Sequence, residues 1–99
     1  IEDYADTQGV TVVHEWGGHE IGRALHGDLS VSHIRQPGTG PRLIPGMTFT
    51  IEPMINAGTH EWLMLPDGWT VITADGRLSV QFEHTIAITP NGPDILSRL

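Results

Sequence analysis

The sequence predicts a strand-rich α/β or α+β domain, with an antiparallel sheet and a few helices. Three observations predict it. β-branched and aromatic residues gather in short runs rather than in long helical stretches. From Met47 to Ile55 the odd positions Met47, Phe49, Ile51 and Ile55 are apolar, while Thr48, Thr50, Glu52 and Met54 occupy even ones; period two is the mark of a strand. Gly, Pro and Asp-Gly signals cut the chain at intervals too short for long helices.

Taken in order, Ile1 to Thr7 reads as the last turns of a helix, with Gly9 as its stop. Val10 to Val13 is β-branched and reads as a strand, which Gly17-Gly18 breaks. Glu20 to His26 fits one or two helical turns, since Ile21 and Leu25 are four apart. Asp28 to His33 is mixed. Gln36 to Pro45 holds Pro37, Gly38, Gly40, Pro41 and Pro45 and is a loop. Met47 to Ile55 is the clearest strand. Thr59 to Asp67 reads as a loop or irregular hairpin and Trp69 to Thr73 as a strand. Ala74-Asp75-Gly76-Arg77 is a turn leading into a last strand, Leu78 to Thr89. There Phe82, His84, Ile86 and Ile88 share one face. Asn91-Gly92-Pro93 ends the strand, leaving a short tail from Ile95 to Leu99.

Ninety-nine residues fit one small domain with a modest core. The net charge of −7 comes from 12 acidic against 5 basic residues, and no Lys/Arg run offers a footprint for nucleic acid or an anionic membrane. With no cysteine, disulfides, iron–sulfur clusters and thiolate zinc sites are excluded, which fits a cytosolic protein. No segment has the form of a signal peptide or a membrane span. The chain starts without Met in what reads as the end of a helix, which predicts a piece of a longer polypeptide.

The chemistry centres on two glutamates. Glu52 and Glu83 each interrupt an apolar or Thr-rich strand at an equivalent place, on the small-polar face. A carboxylate in such a place is costly without a positive partner. Two carboxylates aimed at one point repel, and a hard divalent cation relieves that repulsion. The residue pattern equally fits two solvated side chains on the open face of an antiparallel sheet. His19 follows two glycines, which permit close backbone approach. His84 alternates onto the apolar face and reads as a packed residue, whereas His14, His33 and His60 carry no distinguishing context. His14-Glu15-Trp16-Gly17-Gly18-His19 imitates a zincin signature, but it has one residue too many and its glycines spoil the required helix.

Five stretches in register carry a resemblance: Gly18-His19-Glu20-Ile21-Gly22-Arg23, Leu25-His26, Pro45 to Asn56, Asp67-Gly68-Trp69-Thr70 and Gln81-Phe82-Glu83-His84-Thr85. Together they resemble the C-terminal half of type I methionine aminopeptidases, from about Val10 to Leu96. The resemblance implies half of a pita-bread fold, with residues 1–99 as the C-terminal half of a catalytic domain. It implies removal of the N-terminal methionine of nascent polypeptides in the cytoplasm, through a water activated by two divalent metal ions (Co, Mn, Fe or Zn). It implies His19, Glu52 and Glu83 as metal ligands, Glu52 also as general base, Glu83 as the bridge between ions and His26 as a catalytic residue at the scissile amide. Leu25 and Trp69 fall where the family lines its methionine pocket, and Thr50 where it supports the Glu52 carboxylate.

Three departures stand out. The family's two metal-binding aspartates and a further catalytic histidine belong to the other half, the expected partner of this chain; Asp3 and Asp6 match no ligand motif. Glu20 replaces the family's usual glycine, with a side chain that would crowd the site or demand another backbone angle. Gly17 and Leu25 replace bulkier residues, which loosens the pocket. These residues alone are expected to give little or no peptidase activity. The alternatives are a non-catalytic pita-bread-like binding module and, with less support from the ligand types, a mononuclear iron site.

Overall fold

A computed structural model describes all residues 1–99. It contains one helix, α1 (Glu2–Thr7), and ten short strands. The strands are β1 (Thr11–Val12), β2 (Gly18–His19), β3 (Ser30–Val31), β4 (Thr48–Ile51), β5 (Met54–Asn56), β6 (Trp62–Met64), β7 (Val71–Thr73), β8 (Ser79–Gln81), β9 (His84–Thr89) and β10 (Gly92–Ile95). All named pairings are antiparallel. The architecture is α+β, with one short helix where the sequence predicts a few.

The helix stops where the sequence places its stop. Gly9 takes φ 70°, a left-handed conformation that glycine adopts without steric cost. The Arg35 guanidinium pins the helix to the chain after β3, pairing with Asp3 and Asp6, whose Oδ2 lies 2.7 Å away. Asp3 and Asp6 are thus held by an arginine.

Two long strands expected from the sequence are each broken. Met47 to Ile55 becomes β4 and β5, interrupted at Glu52-Pro53; Leu78 to Thr89 becomes β8 and β9, interrupted at Phe82-Glu83. The breaks coincide. β4 pairs with β9 through Ile51↔His84, and β5 pairs with β8 through Met54↔Gln81. Continued through the gap, that register sets Glu52 opposite Glu83. Proline cannot donate to a ladder, so Pro53 is at home in such a gap.

Other expectations need correction. Glu20 to His26 forms bends rather than helical turns. Leu25 is exposed, and the Ile21 N–H donates across to the Thr48 carbonyl rather than within a helical turn. The mixed segment after it contributes β3, which pairs with β2 through Gly18↔Val31. The stop predicted at Asn91-Gly92-Pro93 instead opens β10, which folds back against β9 because Gly92 at φ 114° closes a tight turn. His84 is exposed rather than packed; its Nδ1 lies 3.2 Å from Ser97 Oγ, next to that returning strand. Of the two readings of Thr59 to Asp67, loop or irregular hairpin, the structure has the hairpin, β6 with β7. Asp67 receives the Trp69 and Thr70 N–H groups in the hairpin turn, and these bonds with the Thr70 hydroxyl hold its carboxyl below the ordinary range.

The core is small: Ala5, Val12, Val13, Phe49 and Ile86 are its buried apolar residues, joined by His33, Thr50 and Asn56. The radius of gyration is 14.8 Å, against about 12.6 Å for a compact chain of this length. Trp69, Leu78 and Phe82 are 86 %, 84 % and 76 % exposed. No helix is long and apolar enough to cross a membrane.

Candidate metal centre

β2 lies against β4 with almost no space between them. A Cβ on Gly18 would overlap the carbonyl oxygen of Thr50, and one on Gly17 would overlap that of Val31. Gly18 therefore brings His19 up to the edge of β4, where Glu20 forms a bridge with Phe49, while Gly17 lets the chain pass close to β3. The His19 N–H donates to Thr50 Oγ1 at 3.0 Å, and the same hydroxyl donates to Glu52 Oε1 at 2.8 Å. Thr50 is fully buried. It belongs to the threonine face of the period-two pattern, yet that face is covered by β2 rather than open to water. Its hydroxyl ties His19 and Glu52 into one unit.

His19, Glu52 and Glu83 converge, each offering a ligand atom within 4.8 Å of the others. His19 Nε2 lies 3.2 Å from Glu52 Oε1. His19 Nδ1 lies 2.9 Å from the carbonyl oxygen of Glu20, which can only accept. That bond places a proton on Nδ1 and turns the Nε2 lone pair toward a carboxylate oxygen. Two lone pairs at this distance need a proton or a cation between them. Two ligands at right angles about an ion, with bonds of about 2.1 Å, stand about 3 Å apart. The donor set thus fits a divalent ion, with imidazole and carboxylate as its ligands.

His26 is also brought in: its ring centroid is 4.2 Å from that of His19, tilted by 52°. Leu25 and Trp69 are not enclosed, being 66 % and 86 % exposed.

The sequence gives no reason to single out His33, which proves to be part of this region. It is buried, and its Nε2 accepts the N–H of Glu52 at 3.1 Å. Burial pushes its pKa below the ordinary imidazole range, against the opposing pull of Glu52. The neutral ring is the form that can accept this bond. No local pattern reveals it, since the partners are nineteen residues apart.

Replacing Thr50 by Val keeps the shape and removes both hydrogen bonds. Losing such a support lowers metal affinity by about 10–100-fold. Calorimetric titration of Mn²⁺ into wild type and Thr50→Val checks this; equal affinities refute the linking role.

Comparison with known proteins bears on this geometry. The model of the family Peptidase_M24, metallopeptidase family M24, matches residues 1–90. Methionine aminopeptidase of Clostridium perfringens is 50% identical over 97 residues, covering 98% of this chain and 39% of that protein. Methionine aminopeptidase 1 of Bacillus subtilis is 48% identical over 99 residues, 100% of this chain and 40% of that protein. The crystal structure of methionine aminopeptidase from Rickettsia prowazekii matches with a TM-score of 0.94 at 45% identity, over 98% of this chain and 40% of that one. That from Thermotoga maritima matches with 0.95 at 41%, over 100% and 40%. The chain spans about two fifths of the length of these relatives. A family match across nine-tenths of its residues, on the same antiparallel framework as the solved structures, makes this chain a member of metallopeptidase family M24.

Proposed function

We propose that residues 1–99 form the C-terminal half of a methionine aminopeptidase catalytic domain. The whole protein then removes the N-terminal methionine of nascent polypeptides, working in the cytoplasm where those chains emerge. The observation that carries this reading is the convergence of His19, Glu52 and Glu83 beside His26. The identity to methionine aminopeptidases supports it.

In this reading His19, Glu52 and Glu83 would hold divalent metal, with Glu83, opposite Glu52, the carboxylate shared with a second ion. Cobalt, manganese, iron and zinc all suit such ligands. Bound ions supply Lewis acidity and an activated water. Glu52 accepts the proton of the attacking water, its carboxylate held in place by the Thr50 hydroxyl. His26 donates to the oxygen of the scissile amide as charge develops there. Leu25 and Trp69, both exposed, line the methionine side-chain pocket once the N-terminal half of the fold covers them. That half supplies the remaining ligands.

The test is turnover of a Met-initiated peptide with added Co²⁺ or Mn²⁺. The chain alone is expected to show none. Addition of the N-terminal half of a relative, such as the Bacillus subtilis enzyme, is expected to yield activity that Glu52→Gln abolishes. Metal- and Glu52-dependent turnover by the chain alone overturns the half-domain reading; a folded complex without turnover overturns the peptidase reading.

A further inference from the structure

We propose that Glu20 is a positioning residue, whose carboxylate fixes the loop carrying His26. This inference rests on the role just given to His26. Glu20 lies just beyond β2, directly after His19. Its side chain does not enter the metal centre. It turns back along the loop, where Oε2 accepts the N–H of Asp28 at 3.1 Å and of Leu29 at 3.3 Å. Its backbone closes the same loop: its N–H donates to the Leu29 carbonyl at 2.8 Å, and its carbonyl accepts from Gly27 at 2.8 Å. That carbonyl also receives His19 Nδ1 at 2.9 Å. One residue therefore ties together the orientation of His19 and the closure of the loop.

The segment between has little else to hold it. Within residues 22–28 the backbone makes one internal hydrogen bond, from Gly22 to Ala24. Ile21 is anchored to Thr48 through both backbone and hydroxyl, so the entrance is fixed and the exit is what Glu20 secures. Charge-assisted bonds to backbone amides are stronger than neutral ones. A glycine at position 20 would leave the Asp28 and Leu29 amides to water. Gly27 is matched to the carboxylate: a Cβ there would lie 2.8 Å from Glu20 Oε2 and from Cδ. The carboxylate and the missing side chain fit each other.

The test is amide hydrogen exchange by NMR on the metal-free chain, with calorimetric titration of Mn²⁺ beside it. Glu20→Ala is expected to speed exchange at Asp28 and Leu29 by about tenfold, the effect of losing one such bond from a locally opening segment. Heteronuclear relaxation is expected to show greater mobility across residues 22–28. Glu20→Gln, which retains a carbonyl acceptor, is expected to restore part of the protection. Metal affinity should stay within about twofold of wild type, since the backbone carbonyl that orients His19 is kept. Unchanged exchange in Glu20→Ala overturns the proposal. Loss of metal binding with unchanged loop mobility also overturns it, by making Glu20 part of the metal centre. Neither readout depends on peptidase turnover, so the inference and the function beneath it fail separately.

Discussion

Gly18→Ala is expected to destabilise the chain by about 2–4 kcal/mol, combining overpacking with a lost hydrogen bond. The added Cβ overlaps the Thr50 carbonyl oxygen and falls 2.8 Å from its carbonyl carbon. These are backbone atoms of a paired strand, so no side-chain rotation relieves the clash. β2 must move off β4. That motion breaks the bond from the His19 N–H to Thr50 Oγ1 and the bridge between Glu20 and Phe49. Small domains are stable by only about 5–15 kcal/mol, so the loss is a large share of the total. Gly22 is the control, because a Cβ there meets nothing within 4 Å. Gly22→Ala is expected within about 0.5 kcal/mol of wild type. Urea denaturation of the three proteins decides it; equal midpoints for Gly18→Ala and wild type would show that the strands are not in contact.

Glu83→Gln is expected to separate stability from metal binding. In the register of the paired strands Glu83 faces Glu52. Like charges directly opposite destabilise a sheet, and Glu83 is exposed, so screening by water makes the repulsion small. The metal-free variant should therefore melt at or slightly above the wild-type temperature. With Mn²⁺ at one hundred times the wild-type dissociation constant, ligand linkage stabilises wild type by about 2.7 kcal/mol. For a chain of this size that is a rise of about 10–20 °C in Tm. Glu83→Gln loses one of three donors and should show almost none of that rise. Equal rises in the two proteins would remove Glu83 from the metal centre.

The same two glutamates show where sequence reading stops. The alternation through Met47 to Ile55 marks a strand, and Asp75-Gly76 marks the turn that returns the chain. Both are local signals, set by period and by turn chemistry. Asp75 acts as that signal implies. Its carboxylate accepts the N–H groups of Arg77 and Thr59, which hold it below the ordinary carboxylate range. The breaks at Glu52-Pro53 and Phe82-Glu83 are less legible, because both segments keep their apolar alternation across the gap. The hairpin after Asn91 was hidden for a related reason: Gly-Pro reads as an end, yet an edge strand tolerates proline at a position that need not donate.

Sequence by itself determined the residue types of the cluster, the glycines that let His19 approach, and the strand-forming runs that flank both glutamates. Tertiary structure alone decided that Glu52 stands opposite Glu83, that Thr50 is buried between His19 and Glu52, that His33 holds the Glu52 N–H, and that Glu20 turns away from that cluster. The physical reason is range. Period, turns and glycine freedom act within a few residues, so a single chain displays them. Register, burial and the direction of a long side chain are set by contacts between segments 19 to 31 residues apart, as in His33 with Glu52 and His19 with Thr50. Those contacts exist only once the sheet has closed.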